Sequence, residues 1–285
     1  MRWKDMRESA NVEDRRGQGG GGRGGFRLGI GGIIAVVVIS LLLGKNPLEM
    51  LGLVSQFTGG GQVTQQQTAQ PAGDDAGKQF ASRVLGDTED TWGKLFADNG
   101  MAYKAPQLVL FNNPTHSGCG QAVSAIGPFY CPADSTVYLD LGFFRELSQR
   151  FGAKGEFAQA YVIAHEVGHH VQNLMGISDK VHRLQQGKNE AAANALSVKL
   201  ELQADCLAGV WGHYAQSRGL LEAGDLQDAL TAAQAIGDDT LQRNAGRNVA
   251  PDSFTHGSAA ERMQWLQRGF DSGRMQDCNT FGNKG

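Results

Sequence analysis

Two histidines and a glutamate stand at helical spacing in the middle of the chain. The segment EFAQAYVIAHEVGHHVQNLM, residues 156–175, repeats apolar residues every three or four positions, which predicts a helix. Inside it, His165 and His169 are four residues apart, so both imidazoles lie on one helix face and can bind one metal ion. Glu166 lies beside them and can act as general base toward a metal-activated water. The pattern His-Glu-x-x-His is typical of a catalytic zinc site.

A third zinc ligand is expected downstream, because a catalytic zinc ion takes three protein ligands and keeps one position for water. The candidate is Glu201, which opens the run ELQAD within a helix predicted over residues 189–218. Asp205 follows it by about one helical turn, and we expect its carboxylate to accept a hydrogen bond from His165. The alternative for Glu201 and Asp205 is a solvated acidic helix face.

Two other kinds of metal protein fit parts of this pattern. A di-iron carboxylate bundle also uses Glu-x-x-His, which Glu166 and His169 satisfy, but it requires a second such motif and the sequence contains none. A structural zinc site normally has a fourth Cys or His ligand and no need of Glu166. The residues therefore favour an enzyme with one Zn²⁺ per chain, and a catalytically silent, zinc-containing protein-binding or chaperone-like module is the alternative.

Several runs of the sequence together resemble a known family. HEVGH followed by ELQAD is similar to the gluzincin metallopeptidases, whose third zinc ligand is the Glu of a later E-x-x-A-D helix. More closely, SGCGQAVSAIGPFYCPADSTVYLDLGFF, HEVGHHVQ, LELQADCLAGVW and FTHGSAAERMQWLQRGF resemble the bacterial putative neutral zinc metallopeptidase family, over essentially the whole chain. The resemblance implies a zinc-dependent, membrane-anchored peptidase. We expect an endopeptidase whose substrates are peptides or unfolded proteins.

The resemblance to gluzincins also implies two further parts of the site. Gluzincins often carry a His-plus-Arg segment late in the chain, and His256 and Arg262 stand in a comparable place, so we expect a catalytic role for His256. Tyr214 and His213 are the alternatives. In gluzincins an extended substrate also pairs with the edge of a small sheet, which here would be the strand predicted at residues 136–140.

The first quarter of the chain differs in composition from the rest. Residues 1–27 are polar and then glycine-rich, which predicts a disordered cytoplasmic tail. Residues 28–44 are almost entirely apolar and uncharged, and we predict one transmembrane helix, with a cleaved signal peptide and a buried core helix as alternatives. Residues 45–77 are predicted to be a flexible linker and residues 78–285 a zinc metallopeptidase domain.

The charges around the apolar segment predict its orientation. Basic residues precede it, so the positive-inside rule places the N-terminus in the cytoplasm and the domain outside, as a single-pass inner-membrane protein whose domain is periplasmic in a Gram-negative cell. The formal net charge of the chain is −3 and Lys and Arg form no broad basic surface, which argues against a nucleic-acid partner.

Four cysteines bear on the same placement, because cysteines outside the cytoplasm are expected to oxidise. Cys119 and Cys131 lie twelve residues apart in a Gly- and Pro-containing loop, and Cys206 and Cys278 are candidates for a second bridge. Four cysteines allow three pairings, and the sequence does not choose among them. No Cys-x-x-Cys spacing occurs, which argues against a zinc cluster built from cysteines.

The remaining patterns predict an α+β domain, mostly helical with a small sheet. Strands are expected at residues 107–111 and 136–140, and helices at residues 81–96, with Trp92 and Phe96 turned inward, and at residues 142–151. The other histidines are expected to be structural or exposed, namely His116, His170 and His182.

Overall fold

The computed structural model describes residues 1–17 and 76–282. Its helices are α1 (Ala76–Asp98), α2 (Gly142–Gln149), α3 (Glu156–Leu174), α4 (Ile177–Gln185), α5 (Glu190–Ser217), α6 (Asp225–Ala235), α7 (Asp238–Asn244) and α8 (Ala259–Ser272). Its strands are β1 (Val12–Asp14), β2 (Gln107–Leu110), β3 (Thr115–Ser117), β4 (Gly120–Ala122), β5 (Phe129–Cys131) and β6 (Thr136–Leu139). A mostly helical body with a small sheet confirms the predicted α+β class.

The helix that carries the two histidines lies at the centre of the helical body. Helix α3 packs against α1, α5 and α6, and α5 makes its most extensive contact with α8. Most of the α3 side chains are buried, because its neighbours cover it on several sides. Helix α5 begins where the Asn189 side chain accepts a hydrogen bond from the Ala192 amide, and Ser258 with Glu261 forms a capping box that starts α8.

Within the described residues, the main sheet has four strands in the order β1-β2-β6-β5. Strands β1, β2 and β6 are parallel, with Leu108 opposite Val137, and β5 runs antiparallel to β6, with Tyr130 opposite Val137. Strand β6 is therefore internal, so the expectation that residues 136–140 form the substrate-facing edge is wrong. The edge next to α3 is β5, because that strand lies outside β6 and contacts the helix.

The first 17 residues are folded against the domain, which corrects the disordered tail predicted for residues 1–27 in the part that is described. Trp3 and Met6 are buried, and β1 pairs with β2. Scattered apolar residues without helical periodicity suggested disorder, but they bury their side chains on α1, where Trp3 packs edge-on against Phe80. Tertiary contacts supply an order that local sequence does not.

The predicted transmembrane helix at residues 28–44 and nearly all of the linker at residues 45–77 lie outside the described residues. Within residues 1–17 and 76–282, no helix is both long enough and apolar enough to span a bilayer. Helix α1 begins at Ala76, two residues before the predicted start of the metallopeptidase domain. Trp92 and Phe96 of that helix are buried, as expected.

Two disulfide bonds close the domain, Cys119–Cys131 and Cys206–Cys278. The first ties the end of β5 to the loop before β4, and the second ties the C-terminal segment to α5. The structure therefore selects one of the three possible pairings.

Candidate zinc site

The two histidines of α3 face one carboxylate of α5. His165 Nε2 lies 3.1 Å from Glu201 Oε2, and His169 Nε2 lies 3.5 Å from Glu201 Oε1. One ligand atom from each of the three residues falls within 4.8 Å of the others. Two imidazole nitrogens and a carboxylate oxygen directed to one point form the donor set of a catalytic zinc ion.

A second set of side chains fixes which nitrogen of each ring faces that point. Asp205 Oδ1 lies 2.8 Å from His165 Nδ1, and Gln172 Oε1 lies 2.9 Å from His169 Nδ1. Both oxygens are acceptors, so each Nδ1 carries the hydrogen and each Nε2 keeps its lone pair for a cation. The residues present therefore fit zinc, in ring orientation as well as in residue type.

Asp205 is fully buried and is bound on both oxygens. Arg262 from α8 donates from Nε to Oδ2 at 2.8 Å and from Nη2 to Oδ1 at 2.9 Å, and the Tyr161 hydroxyl also donates to Oδ1. Burial raises the pKa of Asp205, but the charges of Arg262 and His165 outweigh it and bring that pKa to about 2. Asp205 is thus an ionised carboxylate that links α3, α5 and α8.

The charged residues around the three ligands favour a cation at this point. Burial lowers the pKa of His165, but Asp205 and Glu201 outweigh it and raise that pKa to about 10. Burial also raises the pKa of Glu201, and the charges of His169 and His256 hold it well below its ordinary value. Without a metal ion the His165 ring therefore carries a second proton, at Nε2, and a divalent cation bound at that nitrogen would displace it.

Close approach of α3 and α5 brings the ligands together. Gly168 lies between the two histidines, and a Cβ atom at this position would sit 3.0 Å from the Ala204 carbonyl oxygen. The absence of a side chain at residue 168 lets the two helices cross at this short distance.

The three metal-binding residues line a cleft with a volume of about 650 Å³. This volume is typical of a site that binds a small molecule. Glu166, which is 8% exposed, lines it together with His165 and Glu201. The apolar part of its lining includes Ile126, Phe129, Phe143, Phe151, Val162 and Leu241.

His256 lines the same cleft and is held by Asp238, at the first residue of α7. Asp238 Oδ2 accepts hydrogen bonds from the amides of Thr255, His256 and Gly257, and Asp238 Oδ1 lies 3.3 Å from His256 Nδ1. This arrangement leaves the Nε2 atom of His256 for the cleft. His213 instead contacts the Phe270 carbonyl oxygen at 2.8 Å, and neither His213 nor Tyr214 lines the cleft.

The edge strand β5 is fastened to α3 by His170. The Tyr130 hydroxyl donates to His170 Nδ1 at 3.0 Å and accepts from Asn173 Nδ2 at 3.0 Å, while His170 Nε2 donates to the Lys104 carbonyl oxygen at 2.7 Å. His170 is fully buried, as a structural histidine should be, whereas His116 and His182 are exposed. One face of α3 thus presents the ligands and another holds the strand beside them.

The structure brings all the predicted site residues into one region: His165, Glu166, His169, Glu201, Asp205 and His256. Sequence reasoning missed Gln172, Asp238 and the link between His170 and Tyr130. Gln172 stands three residues after His169, a spacing that brings side chains together on a helix and was available as a signal. Asp238 and Tyr130 reach their partners only through tertiary structure, and no local pattern marks them.

Comparison with known proteins gives relatives along the whole chain. A model of the family described as putative neutral zinc metallopeptidase matches residues 1–281. The chain is 53% identical to the uncharacterized protein YpfJ of Escherichia coli K12 over 290 aligned positions, 99% of each chain. It is 46% identical to an uncharacterized protein of Mycobacterium tuberculosis H37Rv over 190 positions, 63% of each chain. No solved structure matches. The chain belongs to the putative neutral zinc metallopeptidase family.

Proposed function

We propose that this protein is a zinc-dependent endopeptidase that hydrolyses peptides or unfolded proteins. The observation that carries the proposal is the convergence of His165, His169 and Glu201 on one point, with Glu166 in the cleft beside them. Three ligands from the chain leave one coordination position open, as a catalytic site requires and a structural zinc site does not.

The residues divide the chemistry among them. His165, His169 and Glu201 would hold the zinc ion, which when bound would supply a Lewis acid for the scissile carbonyl and would lower the pKa of a water molecule at the open position. Glu166 accepts the proton from the attacking water and delivers it to the leaving amine. Burial lowers the pKa of His256, but Glu201 and Asp238 outweigh it and raise that pKa, which favours a ring protonated on both nitrogens. In that form His256 donates a hydrogen bond from Nε2 to the developing oxyanion, and Asp238 holds its ring in place.

The cleft and strand β5 bind the substrate in this proposal. An extended peptide can pair through its main chain with the edge of β5 that no other described strand occupies, a mode of recognition that accepts many sequences. The apolar lining next to the ligands favours a bulky apolar side chain near the scissile bond. These features support peptides and unfolded chains, whose backbones are accessible for such pairing, rather than folded proteins.

We place this activity outside the cytoplasm. Disulfides persist in oxidising compartments, and both of these bonds belong to the domain: one adjoins the cleft and the other joins the C-terminal segment to α5. Membrane attachment through residues 28–44 is part of the proposal and rests on the apolar sequence alone.

Hydrolysis of an unfolded protein such as casein by the full chain tests the proposal. We expect cleavage that a chelator abolishes and added zinc restores, and that Glu166→Gln eliminates while zinc stays bound. Glu146→Gln is the matched control, because Glu146 is an exposed glutamate of the same cleft that has no assigned role in the chemistry. Zinc binding without cleavage of any peptide or unfolded substrate would instead support the catalytically silent binding module.

A further inference from the structure

Residues 1–17, here called the arm, form an integral part of the domain. The Ser9 amide donates to the Ser82 carbonyl oxygen of α1 at 3.1 Å, and the Arg15 amide donates to the Leu110 carbonyl oxygen at the end of β2 at 2.8 Å. Between these points β1 pairs with β2 in parallel, with Glu13 opposite Val109. The arm thus supplies one edge strand of the main sheet.

Helix α1 is shaped to receive the arm. A Cβ atom at Gly86 would lie 2.3 Å from the Arg7 carbonyl oxygen, a distance that real structures do not tolerate, so this glycine makes the room in which the arm backbone runs. At Gly93, two turns further along the same helix, an added Cβ atom would meet nothing within 4 Å. Glycine disfavours a helix interior, and the passage of the arm accounts for its presence at residue 86.

Charged and polar groups of the arm and the helix also match. Arg7 pairs with Glu89 at 2.9 Å and with Asp90 at 2.8 Å. Glu89 Oε1 in turn accepts hydrogen bonds from the Ser9 hydroxyl at 2.6 Å and from Asn11 Nδ2 at 2.8 Å. Such a set of directed contacts specifies one register for the arm on α1.

The arm reaches the beginning of the helix that carries the zinc ligands. Trp3 Nε1 donates to Glu156 Oε1 at 2.9 Å, and Glu156 is the first residue of α3. The arm therefore contacts the rest of the domain at α1, at β2 and at α3. These contacts can form only where the arm and the domain are in the same compartment.

We infer that the arm and the domain lie on the same side of any membrane to which the chain is attached. A docked arm cannot remain in the cytoplasm while the domain lies outside it. The orientation predicted from the sequence, with a cytoplasmic N-terminus and an exported domain, is incompatible with this inference. The inference does not depend on peptidase activity. With the domain outside the cytoplasm, as proposed above from its disulfides, the arm lies outside as well.

Labelling of the full chain in cells with a membrane-impermeant maleimide tests the inference. Ala10→Cys reports on the arm and Gln216→Cys on the domain, because both positions are exposed. We expect the ratio of labelling in intact spheroplasts to labelling after lysis to agree within about twofold at the two positions. Labelling of one position and protection of the other in intact spheroplasts would overturn the inference.

Hydrogen exchange of the purified full chain tests the docking itself. Gly86→Ala should speed exchange of the amides in residues 7–16 by about tenfold or more, because the added methyl group displaces the arm. Gly93→Ala, the same change on the same helix, should leave their exchange unchanged. Equal exchange of these amides in the two variants would contradict the docking. The labelling experiment uses neither variant, so it remains a test even where Gly86→Ala fails to fold.

Discussion

Replacing Asp205 with Asn should destabilise the protein and weaken zinc binding together. The substitution keeps the shape of the side chain but removes the charge that faces Arg262, which is 3% exposed. Removing one partner of a buried ion pair typically costs about 3–5 kcal/mol. With a urea slope of about 2.5 kcal/mol per molar, the unfolding midpoint should fall by about 1–2 M, measured by circular dichroism with chelator present. Because the acceptor of His165 loses its negative charge, zinc affinity should also fall about 10- to 100-fold.

The same substitution predicts a pH dependence. The pKa of Asp205 is about 2 in the folded protein against an ordinary value of 3.8, so the carboxylate contributes stability above about pH 4 and loses it as the pH falls toward 2. That difference corresponds to about 2 kcal/mol, which the wild type should lose over this range and Asp205→Asn should not. Asp179→Asn, at an exposed position, is the matched control. If Asp205→Asn unfolds within about 1 kcal/mol of the wild type, the reasoning about the buried pair is refuted.

Three further predictions concern the cleft. His256→Ala should lower kcat by about 10²- to 10³-fold with little change in KM, since its hydrogen bond forms with the oxyanion; a change confined to KM would contradict that role. Tyr130→Phe should raise KM by about threefold to tenfold, because β5 loses its link to α3. Tyr103→Phe should not raise KM, as that buried hydroxyl has no hydrogen-bond partner among the residues that the structure describes. Mild reductant should open Cys119–Cys131 first, because Cys119 is exposed whereas Cys206 and Cys278 are buried. The rate of hydrolysis should fall as Cys119–Cys131 opens, and mass spectrometry of alkylated thiols measures that opening. Earlier loss of the Cys206–Cys278 bond would contradict the prediction.

The part of the site that sequence predicts is the part set by helix geometry. His165 and His169 are four residues apart, as are Glu201 and Asp205, and spacing along a helix fixes which side chains share a face. The crossing of α3 and α5 then needs only the small residue at position 168 to bring the two pairs together. The spacing along each helix and the packing of the two helices place the same side chains together, so the sequence predicts these residues of the site.

The parts that sequence misses depend on contacts between distant segments. The arm joins β2, about 95 residues away, through a strand of three residues, which is too short to show a period. Strand β5 has the same length and lies in a loop closed by a disulfide. The arm also affects how the protein should be studied, because a fragment that begins at residue 78 lacks one strand of the sheet.

Zinc content of the purified full chain tests the central claim most directly. Elemental analysis should find about one zinc per chain in the wild type and in Glu166→Gln, and much less in Glu201→Ala, because Glu201 binds the metal whereas Glu166 acts on water. Equal loss of zinc in the two variants, or no zinc in the wild type, would contradict the assignment of ligands and base.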